Sequence, residues 1–285
     1  MEDARPAGER LEKVLCRRIG RALADFDLLR EGDRVAVAVS GGKDSLSLAL
    51  LLEALRRRSP VRWELIALTV HNGSDLFQAD LLRAFFRDRA IPYHVAPTEI
   101  TRIVEEKLRP GSPYCSLCAR LRRGALYGAA AALGCNKLAL GHHLDDALET
   151  LLMNLFFEGA LKAMPPKLLA ENGAVTVIRP LLYVPEAMLA EYARGEGLPV
   201  IDCGCWLCGG RDGERARMKS LVAEVAVRYP GTRRAALRAL ANVQPRFLLD
   251  PRHHDFSREE APRPGGALPP PPRAGAARPR PSGPV

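Results

Sequence analysis

Ser40-Gly41-Gly42-Lys43-Asp44-Ser45 follows the apolar run Val35-Ala36-Val37-Ala38-Val39 and precedes Leu46 to Arg57, which has the pattern of a helix. The run reads as a buried strand, so the Gly-rich stretch is a strand-to-helix turn. A turn of this kind aims several backbone N–H groups at one point, where the helix N-terminus adds partial positive charge. That arrangement binds phosphate. It is not a Walker A loop, which requires G-x-x-x-x-G-K-S/T, because Lys43 is followed by Asp44.

Outward from this turn, strands and helices alternate. On the N-terminal side, Leu11, Leu15, Ile19, Leu23 and Phe26 recur at helical spacing and predict an amphipathic helix. On the C-terminal side, strands are expected at 63–70, 93–96, 137–140, 175–178 and 199–201. Helices are expected at 79–89, 120–133, 145–157, 185–195, 213–228 and 232–242. Such alternation implies an α/β fold, an open parallel sheet with helices on both faces. Ligands of these sheets bind beyond the carboxyl ends of strands. The Ser40 loop, the segment around Cys115, the Gly141-His142-His143 loop and the Cys203 cluster each follow an expected strand and should gather on one rim.

The 285 residues, 47% of them hydrophobic, suit one large domain with additions. Residues 1–30 are expected to form the N-terminal helix, 31–250 the main domain, and 251–285 a disordered tail. The tail is rich in Pro and Arg and cannot build a core. A net charge of +9 favours a polyanionic partner. No apolar run approaches the roughly 20 residues of a membrane span. The start of the chain is too charged for a secretory signal. A cytoplasmic location is expected.

Seven cysteines, an odd number, argue against a disulfide framework in such a chain. Cys16 and Cys135 read as packing residues. Cys115-Ser116-Leu117-Cys118 opens a helix, and Cys203-Gly204-Cys205-Trp206-Leu207-Cys208 lies far along the chain. Two distant thiolate groups invite a shared metal. Four cysteines would close a zinc site, and three would leave a [4Fe–4S] cluster with one open iron. Spacing leaves both open.

Six segments in order carry a resemblance: Ser40–Ser45, Cys115 to Gly124, Gly141-His142-His143-Leu144-Asp145-Asp146, Met164-Pro165-Pro166-Lys167, Ile178-Arg179-Pro180-Leu181 and Leu207-Cys208-Gly209. Over Leu11 to Leu249 the chain resembles the tRNA-cytidine 2-sulfurtransferases, among the pyrophosphate-loop ATPases of the adenine nucleotide alpha hydrolase-like fold. The resemblance implies ATP-dependent thiolation of a tRNA anticodon-loop cytidine at C2, with ATP split into AMP and pyrophosphate. It implies a [4Fe–4S] cluster on Cys115, Cys118 and Cys208, which carries sulfide on its open iron, and Mg²⁺ on Asp44 and Asp146. ATP would contact Ser40, Gly41, Gly42, Lys43, Asp44, Ser45, Gly141 and His142. Asp44, Arg122 and Asp146 are the candidate catalytic residues.

The expected partners are tRNA and a sulfur-donor system such as a cysteine desulfurase, with a homodimer as a further option. Cys203 has no counterpart in the family pattern, and His71-Asn72-Gly73 stands where the family has an Asp-Gln pair. Capping of a helix by Asp145 would be the structural reading of the acidic loop. Lys167, Arg228, Arg233, Arg234 and Arg238 are candidate RNA contacts or solvated charges. A lysidine synthetase-like ligase would leave the cysteines without a purpose. A lapsed, zinc-stapled RNA-binding protein is the non-enzymatic rival.

Overall fold

A computed structural model describes residues 7–71, 78–107, 114–201 and 213–258. Cys203, Cys205 and Cys208, Asn72 and Gly73, the tail beyond Arg258 and the side chain of Cys115 lie outside the described residues. The chain divides into two compact units, Met1–Leu240 and Ala241–Val285.

Six strands form the sheet of the first unit: β1 Arg34–Ala38, β2 Glu64–His71, β3 Tyr93–Pro97, β4 Lys137–Ala139, β5 Lys167–Leu169 and β6 Thr176–Ile178. Their order is β3-β2-β1-β4-β6-β5. All neighbours pair parallel except β5 with β6. The chain builds outward from β1 to β3 and then crosses back to lay β4 on the other side of β1. That reversal opens a crevice at the carboxyl ends of β1 and β4, where open α/β sheets place ligands.

The helices are α1 Ala7–Asp25, α2 Lys43–Arg56, α3 Ala79–Asp88, α4 Ile100–Lys107, α5 Tyr114–Ala132, α6 Leu144–Phe157, α7 Glu186–Gly195, α8 Glu214–Arg228 and α9 Thr232–Leu240. Strand alternation divides the core between the two faces of the sheet. Val35, Val37 and Val39 of the β1 segment join residues of α1, α2, α3 and α7. Ala36 and Leu68 instead join Ala130 of α5, Cys135, Leu138 and Val177. Leu15 and Ile19 of α1 are fully buried, so this helix belongs to the core. Cys16 and Cys135 are buried in these two clusters. Burial pushes the Cys16 thiol up to about 11 and raises that of Cys135.

Three expectations need correction. Residues 199–201 form no strand: the N–H of Ile201 bonds to the carbonyl of Gly41 at 2.9 Å, a single link to the phosphate turn with no ladder. The Cys203 segment therefore does not follow a strand. Lys167, where no strand is expected, opens edge strand β5. The sheet is therefore mixed at one margin. Helix α4 went unassigned in the sequence, although Ile100 and Val104, four residues apart, bury its inner face.

In the second unit, short 3₁₀ turns at Pro245–Phe247 and Phe256–Arg258 are joined by local contacts. Among these are the Arg252–Asp250 ion pair and the edge contact of His254 with Phe256.

Candidate nucleotide site

The Gly-rich turn follows β1 and runs into α2. Gly41 has φ +86°, a left-handed value that favours glycine, and a Cβ there would sit 3.0 Å from Cβ of Ile201. Ser45 closes the turn: its Oγ donates to the Gly42 carbonyl at 2.9 Å and accepts from the Ser40 N–H at 3.2 Å. The loop after β4 lies directly against this turn. A Cβ on Gly141 would come within 3.1 Å of the Ser45 nitrogen, so the two backbones touch only because position 141 has no side chain.

His143, not Asp145, caps α6. Its Nδ1 accepts from the Asp146 N–H at 3.3 Å, while Asp146 Oδ2 accepts from the His143 N–H at 3.0 Å. This reciprocal box satisfies two of the helix's free donors. Asp145 is buried and braces other elements. Its Oδ2 accepts from the N–H of Glu186 at the start of α7 (2.8 Å), and its Oδ1 from Nε of Arg233 on α9 (2.6 Å). Pro185, the residue before α7, has no side-chain oxygen, so the cap comes from another helix.

Asp44 and Asp146 face a cavity of about 430 Å³, with His143, Glu149, Glu186, Gly213, Arg215, Ala216 and Lys219 also lining it. Oδ1 of Asp44 is buried with no hydrogen-bond partner among the described residues. Oδ2 of Asp44 bonds to Nζ of Lys43 at 3.1 Å and lies 3.9 Å from Nε2 of His143. Lys43 also reaches Glu186 at 2.9 Å. Burial works against its charge, but these carboxylates outweigh it and raise its pKa. Burial likewise pushes Glu186 up, yet hydrogen bonds from Lys219 and Lys43 bring it down to about 2. Glu149 is raised by burial and by the charge of Asp146.

His142 and Arg179 meet beside the cavity, where Arg179 Nε donates to His142 Nδ1 at 3.3 Å. Burial, followed by the charge of Arg179, lowers His142 to about 4. On α5, Cys115 and Cys118 stand one turn apart in the first part of the helix. Cys118 is half-buried, and Arg122 Nη2 lies 3.9 Å from its Sγ. Arg120 and Arg123 are exposed.

Among the described residues no group of three or more His, Cys, Asp or Glu is disposed to hold a metal ion. The buried, unpartnered Asp44 oxygen and the neighbouring Asp146 nevertheless suit a hard cation that takes its remaining ligands from phosphate and water. The thiol of Cys118, on the same helical turn as Cys115, suits an iron–sulfur cluster by donor type.

Lys167 is engaged with the backbone carbonyl and carboxylate of Asp27. Arg234 and Arg238 are exposed, and Arg228 lies over the Tyr229 ring at 5.7 Å. Sequence reasoning missed Glu149, Glu186, Arg215 and Lys219. Only Glu149 carried a local signal, one helical turn after Asp146.

Residues 11–202 match the PP-loop domain family. The chain is 55% identical over 232 residues to the tRNA-cytidine(32) 2-sulfurtransferase of Geobacter sulfurreducens, covering 81% of this chain and 90% of that protein. It is 52% identical over 248 residues to the protein of that name from Syntrophotalea carbinolica, covering 87% and 96%. Among solved structures, the U34-tRNA thiolase NcsA from Methanococcus maripaludis with its [4Fe-4S] cluster aligns with a TM-score of 0.67 at 26% identity. That alignment covers 89% of this chain and 86% of that one. No helix among the described residues is long and apolar enough to cross a membrane. The relatives match nearly end to end and the PP-loop match spans most of the chain, so the protein belongs to the tRNA-cytidine(32) 2-sulfurtransferase family of PP-loop enzymes.

Proposed function

We propose that this protein thiolates C2 of cytidine 32 in tRNA at the expense of ATP, which it splits into AMP and pyrophosphate. The observation that carries the reading is the contact between the Gly-rich turn and the acidic loop, with Asp44 and Asp146 facing one cavity. The C2 oxygen of cytosine is a poor leaving group. Its attack on the α-phosphorus of ATP breaks the bond to the β-phosphate, whose oxygen leaves with the electron pair as pyrophosphate. A sulfur nucleophile then adds at C2, and AMP departs with the former C2 oxygen.

The N–H groups of Ser40–Ser45 and the α2 N-terminus stabilise phosphate charge, and Gly141 and His142 border the nucleotide. Asp44 and Asp146 would hold Mg²⁺, which would neutralise part of that charge. Cys115, Cys118 and Cys208 would hold a [4Fe–4S] cluster with one iron free of protein ligands, which would carry the donated sulfide to the adenylate. Arg122, beside Cys118, would orient the base or its adenylate at that sulfide. An anticodon-loop base can leave its stack more cheaply than a duplex base. A cysteine desulfurase is the proposed sulfur donor and the cytoplasm the proposed location. A homodimer is compatible with this reading.

The test is anaerobic purification with iron, sulfide and zinc analysis, followed by product chromatography after incubation with ATP, a sulfur donor and tRNA. Expected are iron with labile sulfide, 2-thiocytidine at position 32, and AMP with pyrophosphate. Serine substitutions at Cys115, Cys118 and Cys208 should lose iron and thiolation, whereas those at Cys203 and Cys205 should keep both. Stoichiometric zinc in active protein, or ADP as product, would overturn the reading.

A further inference from the structure

We infer that α8 supplies the cationic wall for the pyrophosphate half of ATP, with Arg215 and Lys219 exchanging their carboxylate partners for the β- and γ-phosphates when metal-bound nucleotide enters. The inference rests on the ATP-dependent reading above and assigns a subsite to an element beyond residues 11–202, the part that matches the PP-loop family.

Arg215 and Lys219 are four residues apart, so they share one face of α8. That face lines the cavity together with Asp44, Asp146, Glu149 and Glu186. Arg215 Nη1 lies 3.4 Å from Asp146 Oδ1 and 3.3 Å from Glu149 Oε2, and Nη2 lies 3.4 Å from Thr150 Oγ1. These are long contacts for a guanidinium, well outside the short bidentate geometry that a carboxylate or phosphate allows. Lys219 Nζ meets Glu186 at 2.8 Å, but Glu186 is shared with Lys43 of the phosphate turn. The two α8 side chains are 48% and 55% exposed, so their ion pairs hold them weakly and can be exchanged.

The exchange balances charge. Four carboxylates crowd one cavity and Lys43, Arg215 and Lys219 offset them. Burial and the Asp146 charge raise the pKa of Glu149, a mark of that crowding. Were Asp44 and Asp146 to hold a cation, Arg215 would share less of the Asp146 carboxylate and have N–H groups for phosphate oxygens, which its planar fork fits well. Lys219 follows when Lys43 and Glu186 adjust to the nucleotide. The cavity, about 430 Å³, lies within the range of small-ligand pockets. The charge that grows on pyrophosphate as the α–β bond breaks would then be met from the α8 side.

The test uses full-length protein and four probes: α,β-methylene-ATP with Mg²⁺, pyrophosphate with Mg²⁺, AMP, and tRNA. Arg215→Gln with Lys219→Gln should weaken α,β-methylene-ATP and pyrophosphate by about 10- to 100-fold, as expected for lost charge-assisted hydrogen bonds. AMP and tRNA affinities should be unchanged, and Arg215→Lys should recover part of the loss. Unchanged pyrophosphate binding overturns the inference. An equal loss for AMP would mean a structural role, and a loss confined to tRNA would mean an RNA contact; either also overturns it. Wild-type protein that binds none of the nucleotide probes would defeat the ATP reading itself, and the inference with it.

Discussion

Asp44 has one carboxylate oxygen bonded to Lys43 and the other buried without a partner among the described residues. A buried, unsatisfied charged oxygen costs stability, and it persists where function needs it. Asp44→Asn should therefore lower thiolation by about 100-fold or more, as loss of a phosphate-site metal ligand does, while the melting temperature holds or rises. A melting temperature well below wild type would show that Asp44 braces the fold instead. His142 gives a pH signature. Its pKa, held down to about 4 first by burial and then by Arg179, lies below the ordinary histidine value of about 6.5. The native state thus binds fewer protons in that interval, and the stability linked to His142 is complete above it and is lost as pH falls through it. Denaturant titrations should show this decline, and His142→Gln should flatten it. An identical slope in the variant would refute the assignment.

At the scale of elements, adjacent residues of α6 part ways. Asp145 caps α7 and pairs with Arg233 of α9, whereas Asp146 faces the cavity. Asp145→Ala leaves a helix N-terminus and a guanidinium short of an acceptor and should cost about 1–3 kcal/mol. Asp146→Asn keeps an acceptor for the His143 N–H in the α6 capping box, so it should cost little stability, and it should abolish adenylation. Calorimetry alongside an AMP-release assay separates the two, and the reverse pattern would show the roles exchanged. The resemblance singled out Asp146 for the site, but nothing local showed which elements Asp145 braces, because its partners lie in α7 and α9, far along the chain. What it did reveal was local: the Val35–Val39 run, the glycines of the turn and the helical spacing of Leu15 and Ile19 each declare themselves within a few residues. Residues 199–201 misled because a β-branched pair beside a proline resembles a strand, whereas the backbone makes one bond to Gly41. Strand β5 was hidden because its three residues follow two prolines and pair only with β6. Glu186, Arg215 and Lys219 come together only after folding.

For the whole molecule, the first unit carries the sheet and the cavity, while the described part of the second consists of short turns. Removal of everything after Arg252 should leave the melting temperature and AMP release unchanged and should weaken tRNA binding modestly, in a salt-dependent way. A large drop in melting temperature on truncation would show that the tail packs on the fold. The two core clusters also contain an unused reporter. Cys16 and Cys135 are buried with raised pKa values, so an alkylating reagent cannot reach or activate them in the native chain. At most five of the seven thiols can then be labelled while the fold stands, whatever has become of the others. Mass spectrometry that finds a sixth label marks denaturation, and one that finds five or fewer marks changes at the other five cysteines alone. Oxygen damage and unfolding, which both silence such an enzyme, can thus be told apart in one sample by weight.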